Sequence, residues 1–380
     1  MSNELYTRGV QQILPDSASL IQKAKEKPLT LYLGIDPTGA FLHLGHSVVL
    51  RKLQQFAQAG HHVILLVGNG TVRIGDPTGR DSTRPVLTDA EIAANFQNWQ
   101  AQASKILDFS KIEIRYNADW LDKLDYAQIV KLLATTTVQQ LLERDMFQTR
   151  LQKNLPIFGH EIIYPLLQGY DSVAMDVDLE IGGSDQTFNM MMGRHLQKIY
   201  NNHEKWILTT PIINGLDGRK MSKSYNNYIA LTDSASEMYF KTMTLSDELI
   251  IEYFTLLTDV DAQEIAQMQT EMEHGTSPLI FKKQLAKTIA ALYHNNAEAQ
   301  AAADLWQKTV SNKEIPTDLP KVNVPNLELD LFSLAKLAQP ETSNSNLRRL
   351  IEQHAIELIP DRQVLRIGKK NYYQLVLNKD

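Results

Sequence analysis

The run LTLYLGI, Leu29–Ile35, is apolar at almost every position and stops at the turn Asp36-Pro37-Thr38-Gly39. The segment HSVVLRKLQQFAQAG then places Val49, Leu50, Leu53, Phe56 and Ala57 at helical spacing and ends at Gly60. A second apolar run, HVILLVG at His62–Gly68, follows it, and a second Asp-Pro-Thr-Gly turn stands at Asp76–Gly79. KIEIRY (Lys111–Tyr116) and KWILTT (Lys205–Thr210) read as further strands between helical stretches. Strand, turn, helix, strand predicts an α/β fold, a doubly wound parallel sheet of Rossmann-like type. Such a sheet binds ligands outside the carboxyl ends of its strands, where the Gly-, Asp- and His-rich turns of this chain fall.

The texture changes near Thr232. SEMYFKTMTLSDELIIEYFTLLTDV and LIFKKQLAKTIAALYHNNAEAQAAADLWQKTV are helical patterns with few strand signals. Ser311–Asn326, with three prolines and few large apolar side chains, reads as a linker. Beyond it a helix, NLRRLIEQHAI, alternates with strand-like QVLRIG and NYYQLVL. The expected organisation is an α/β domain over 1–228, a helical domain over 229–310, a linker over 311–326 and a small α+β tail over 327–380. Zero cysteines exclude disulfides, thiolate chemistry and Cys-ligated zinc. The net charge of −6 argues against a protein that coats nucleic acid, so any such contact must come from local patches. No run of apolar residues reaches the length of a membrane span. Glu4 and Arg8 interrupt the place where a secretory signal needs an apolar stretch, so a cytoplasmic chain without membrane partners is expected.

Two segments carry chemistry. GIDPTGAFLHLGH, Gly34–His46, leaves the first strand and sets two histidines three apart at the start of a helix, on one face. A helix N-terminus favours an anion, and Gly45, lacking Cβ, lets a base or sugar come close to the backbone. The second segment, GLDGRKMSKSYNN at Gly215–Asn227, collects cations and hydroxyls in one loop without a nucleophile. Asp76 precedes Pro77 and can initiate a turn or serve a ligand. Asp176, Asp178 and Glu180 alternate along a predicted strand, the pattern of a solvated face.

Together, His43-Leu44-Gly45-His46 and Lys220-Met221-Ser222-Lys223-Ser224 resemble the two signatures of the class I aminoacyl-tRNA synthetases. YLGIDPTGAFLHLGH, YPLLQGYD (Tyr164–Asp171) and IGGSDQ (Ile181–Gln186) resemble the bacterial tyrosyl-tRNA synthetases, in the subtype whose mobile loop reads K-M-S-K-S. The resemblance implies that Tyr32 and Asp171 contact the substrate phenol. It puts Tyr164, Gln168 and Asp76 around the α-ammonium, Gln186 near the carboxylate and Asp185 on the ribose. Thr38, His43, His46, Lys220 and Lys223 become the catalytic set, and Gly34, Asp36, Gly45, Ser222 and Ser224 join them around ATP. A buried hydroxyl and carboxylate suit a phenol, which donates and accepts, and Tyr164, Gln168 and Asp171 share one helical face.

The implied reaction uses L-tyrosine, ATP with Mg²⁺ and tRNA(Tyr), with no structural metal. The implied assembly is a homodimer built through an inserted region at about 118–165. The tail resembles the S4-type RNA-binding module, with Gln353-His354-Ala355 where a Gly-rich turn is usual. Arg348, Arg349, Arg366, Lys369 and Lys370 are its candidate phosphate contacts. A tryptophanyl enzyme shares the fold and both signatures. A smaller nucleotidyltransferase and a relative that only binds RNA are further alternatives.

Overall fold

A computed structural model describes residues 3–39, 41–78, 87–222, 225–312, 314–315, 319–326, 328–368 and 371–377. The chain divides into two compact units, one of Met1–Asp233 with Thr244–Leu285 and one of Ser234–Met243 with Ala286–Asp380.

The first unit is built on a six-stranded sheet: β1 (Gln12–Leu14), β2 (Thr30–Ile35), β3 (His62–Val67), β4 (Ile112–Tyr116), β5 (Leu179–Gly183) and β6 (Trp206–Thr210). Its order is β1-β6-β5-β2-β3-β4, parallel throughout except for β1, which pairs antiparallel with β6 at the edge. The runs read as strands in the sequence are strands here, because helices cover the sheet and its apolar positions are buried. Strand order reverses direction at β2, whose neighbours are β3 on one side and β5 on the other. β2 and β3 pair over their whole length, but β2 meets β5 only at Leu31↔Leu179 and Tyr32↔Glu180. The crevice therefore opens beyond Tyr32, at the switch point where doubly wound sheets hold ligands. Asp178 and Glu180, whose alternation resembles a solvated face, are both buried. Asp178 accepts from the Thr30 N–H and lies near Lys23, Lys27 and His203, which together compensate its burial.

The helix Gly159–Met175 forms one wall of the crevice. Its N-terminus is fixed by Glu161, which accepts from the Phe158 N–H and pairs with buried Arg150 at 2.7 Å. Gly169 of this helix lies against Gly193 of the helix Thr187–Asn201; a Cβ on Gly169 would sit 3.0 Å from the Gly193 nitrogen.

In the second unit the helices Ala235–Thr242 and Asn296–Trp306 pack through Tyr239, Phe240 and Ala302. A four-stranded sheet follows, formed by β7 (Lys321–Val324), β8 (Ile356–Ile359), β9 (Val364–Ile367) and β10 (Asn371–Leu377), in the order β7-β10-β9-β8. Lys321–Val324, within the stretch expected to be a linker, is thus a strand, because β10 offers it a parallel edge. The helices Leu331–Ala338 and Asn344–Glu352 cover this sheet through Leu334 and Leu347. Where a Gly-rich turn is usual, His354 adopts the left-handed conformation at φ 52° and ends the second helix.

Candidate active site

A cavity of about 520 Å³ occupies the β2/β5 crevice, within the range of small-molecule sites. It gathers Gly34, Asp36, Thr38, His43, His46, Asp76, Tyr164, Gln168, Asp171, Gln186 and Ser222 from segments far apart in sequence.

At one end stands the helix Leu44–Gln58. His43 is its N-cap and His46 its third residue, and the two rings cap reciprocally. The Gly45 N–H donates to His43 Nδ1 and the His43 N–H to His46 Nδ1, each at 3.1 Å. With Nδ1 accepting in both, each neutral ring carries its proton on Nε2, as a donor. This places imidazole donors beside a helix N-terminus, a combination suited to phosphate oxygens. Gly45 has a nearer reason to be glycine than approach of a base: a Cβ there would sit 2.9 Å from the His43 ring. Met221, of the cationic loop, lies with its sulfur 3.2 Å from the Gly45 nitrogen and joins that loop to the histidine helix.

The loop itself is anchored by Asn227. Its amide donates to Asp217 and accepts from the Ser222 N–H. Asn227 and then Arg219 hold the Asp217 carboxyl down at about 2. Lys220, expected on phosphates, and Asp185, expected on ribose, pair with each other at 3.3 Å and lie outside the cavity lining. Lys223 and Ser224 lie outside the described residues.

In the middle of the cavity, the Tyr164 hydroxyl donates to Asp36 at 2.9 Å, and Asp36 also accepts from Thr71. Asp76 initiates a turn and lines the cavity. One oxygen accepts from the Thr78 N–H and hydroxyl, closing a turn, and the other accepts from Gln186. Buried Arg144 donates to Thr78 and so braces this turn from behind.

At the far end, Asp171 is buried. Its two carboxylate oxygens accept from the Trp120 indole N–H at 2.8 Å and the Asn117 amide at 3.2 Å. Burial pushes its carboxyl well above the usual carboxylate range, against the pull of those two donors. Tyr32 does not bond to Asp171; its hydroxyl lies 2.9 Å from Ser172 Oγ, and burial drives its pKa upward. Asn117, Trp120, Ser172, Glu180 and Lys205 carry no motif that singles them out. Only Ser172, adjacent to Asp171, had a positional hint.

In the second unit, the candidate phosphate contacts are engaged locally. Arg348 lies over the Phe332 ring at 5.1 Å, Arg349 donates to Asn346, and Arg366 pairs with Glu357 at 2.7 Å. Lys369 and Lys370 lie outside the described residues. Among the described residues no three His, Asp or Glu side chains converge as a metal site.

Residues 23–311 match the family described as tRNA synthetases class I (W and Y). The chain belongs to the class I tRNA synthetases. This synthetase is 42% identical, over 98% of its length, to the tyrosine–tRNA ligase of Moorella thermoacetica, of which 94% is covered. It is likewise 42% identical over 98% of its length to the tyrosine–tRNA ligase of Symbiobacterium thermophilum, with 97% of that protein covered. Among solved structures, the C-terminally truncated mitochondrial tyrosyl-tRNA synthetase of Aspergillus nidulans shares the fold. The TM-score is 0.66 at 23% identity, over 79% of this synthetase and 91% of that chain.

Proposed function

We propose that this synthetase is a tyrosine–tRNA ligase whose cavity takes L-tyrosine with its phenol at Asp171 and ATP at His43 and His46. The observation that carries the amino-acid identity is the buried Asp171 carboxylate, with the Tyr32 hydroxyl near it. A phenol can give its proton to the carboxylate and still accept a hydrogen bond; an indole N–H can only donate, which disfavours tryptophan. Asp36, Asp76 and Gln168 supply the acceptors that an α-ammonium needs, and Tyr164 holds Asp36 in place.

In the first step a tyrosine carboxylate oxygen forms a bond to the α-phosphorus of Mg·ATP, and the bond to pyrophosphate breaks. No enzyme nucleophile is needed; positioning and fixed cations carry the step. The imidazole Nε2–H groups, the helix N-terminus and the lysines of the K-M-S-K-S loop meet the charge that moves onto pyrophosphate. In the second step a ribose hydroxyl of the tRNA 3′-terminal adenosine attacks the tyrosyl carbonyl and AMP leaves.

The segment at 327–380 serves as an S4-like RNA-binding domain, whose exposed Arg348 and Arg349 would exchange their local contacts for phosphates. The 118–165 region exposes Tyr126, Val130, Val138 and Phe158, an apolar surface that supports a two-fold homodimer interface there. Among the described residues no helix is long and apolar enough to cross a membrane. A cytoplasmic translation enzyme fits this reading.

The test is ATP–pyrophosphate exchange over all twenty amino acids, with exchange expected for tyrosine alone. Exchange driven by tryptophan would overturn the assignment. For the phenol clamp, Tyr32→Phe and Asp171→Ala should each lower the tyrosine-to-phenylalanine ratio in kcat/KM, the second more, because each unpaired buried group costs about 1–3 kcal/mol. An unchanged ratio in both would remove the clamp. Light scattering tests the dimer, which a 43.1 kDa species at micromolar concentration would disprove.

A further inference from the structure

Behind the amino-acid end of the cavity lies a buried ion pair that no motif announces. Lys205, just before β6, and Glu180, on β5, are 0% and 2% exposed, and their charged ends are in contact. Room for the lysine comes from the glycine crossing of the two helices above the sheet. A Cβ on Gly193 would sit 2.4 Å from Lys205 Nζ and 2.8 Å from Ser172 Oγ. The ammonium has three protons and three acceptors around it: Glu180, Ser172 Oγ at 2.7 Å and the Met190 carbonyl at 3.4 Å. Isolated from water, such a pair has one stable arrangement, because any departure leaves a charge unpaired.

One Glu180 oxygen faces Lys205; the other accepts from the Gln168 side-chain amide at 3.2 Å. A carboxylate can only accept, so it fixes which end of the Gln168 amide faces it: the NH₂. The amide oxygen is then turned the other way, and it is buried with no hydrogen-bond partner. A buried acceptor left unsatisfied costs about 1–3 kcal/mol. Its cost is recovered when a donor arrives, and Gln168 lines the cavity.

We infer that Glu180, anchored by Lys205, is a positioning residue that makes Gln168 an obligate acceptor for the substrate's α-ammonium. The inference rests on the assignment of Gln168 to that ammonium. Glu180 also borders the cavity itself, but it reaches the ammonium through Gln168, and Lys205 acts through Glu180 and Ser172. Without the carboxylate the amide can flip and present its NH₂, a donor facing a cation.

The experiment compares wild type with Glu180→Gln, whose neutral amide does not dictate the Gln168 orientation. A second variant, Glu180→Gln with Lys205→Met, removes both charges together and avoids a stranded ammonium. Tyrosine, tyramine and 3-(4-hydroxyphenyl)propionate are the probes; the last lacks the ammonium. Tyrosine KM in pyrophosphate exchange should rise roughly tenfold in both variants, with kcat and the KM for ATP little changed. The inhibition constant of tyramine should rise by a similar factor, and that of the propionate should stay constant. A loss of all three ligands together would indicate a merely structural role and overturn the inference, as would unchanged tyrosine and tyramine binding. Gln168→Ala separates the two readings. If it leaves tyrosine binding intact, the ammonium assignment itself fails; if it weakens binding and Glu180→Gln does not, only the role of Glu180 fails.

Discussion

The Tyr164 hydroxyl and the Asp36 carboxylate, 2.9 Å apart, join the helical wall of the crevice to the end of the central strand. The bond crosses the switch point of the sheet and fixes a carboxylate that the proposed function gives to the amino-acid ammonium. Tyr164 is buried, and burial with the nearby Asp36 charge drives its pKa well above the usual phenol value, so it stays protonated and donates to Asp36.

Tyr164→Phe removes that donor and keeps the ring. The KM for tyrosine should rise about 10- to 100-fold, the worth of a hydrogen bond to a charged group. Discrimination against phenylalanine should hold, because the change lies at the ammonium end. Exchange kinetics with both amino acids check this; a collapse of discrimination would contradict the assignment of ends.

Lys223→Ala should lower the rate of tyrosyl-adenylate formation by about 10²–10³, the size of one lost preorganised contact to developing charge. Tyrosine affinity should stay the same. Pre-steady-state rates against tyrosine concentration separate the two quantities, and a shift confined to affinity would refute a transition-state role for this loop lysine.

Arg150→Met should destabilise the first unit by roughly 3–5 kcal/mol, since it strands the buried Glu161 carboxylate. Burial alone would raise that carboxyl; Arg150 and the Phe158 N–H instead hold it below its usual range. Denaturant unfolding measures the loss, and replacing Glu161 by Gln in the same chain should recover part of it.

Lys52 supplies a pH dependence. Burial lowers its pKa to about 8, although its ammonium donates to the Leu5 carbonyl and Gln55. Below pH 8 the ammonium is charged in both states and the cost of its burial is fully present. Between about 8 and the unfolded value of 10.5, the folded state sheds the proton while the unfolded state keeps it, so stability rises with pH. Relative to Lys52→Met, the wild type should gain about 2 kcal/mol between pH 7.5 and 9.5. Urea unfolding of both proteins at the two pH values reads the difference; no change in their gap would show that the lysine is not held buried and charged.

The sequence by itself determined the local and repetitive features. Apolar runs and helical spacing read out β2, the helix Leu44–Gln58 and β3, because a buried face imposes its period on consecutive residues. The His43–His46 pair and the K-M-S-K-S loop were legible for the same reason: their chemistry lies within a few residues of chain. Tyr164, Gln168 and Asp171 were legible as one face of one helix. Tertiary structure decided what depends on strands and helices meeting. Asp178, just before β5, and Glu180, on it, look solvated because their compensating partners are remote in sequence, Lys205 and His203 beyond the next helix and Lys23 near the start. The partners of Asp171 come from Asn117 and Trp120, just past β4, and Tyr32 turns to Ser172. Side-chain identity limits which hydrogen bonds and ion pairs can form. Which of them form is set by burial, because only the fold removes the water that would otherwise satisfy every charge separately.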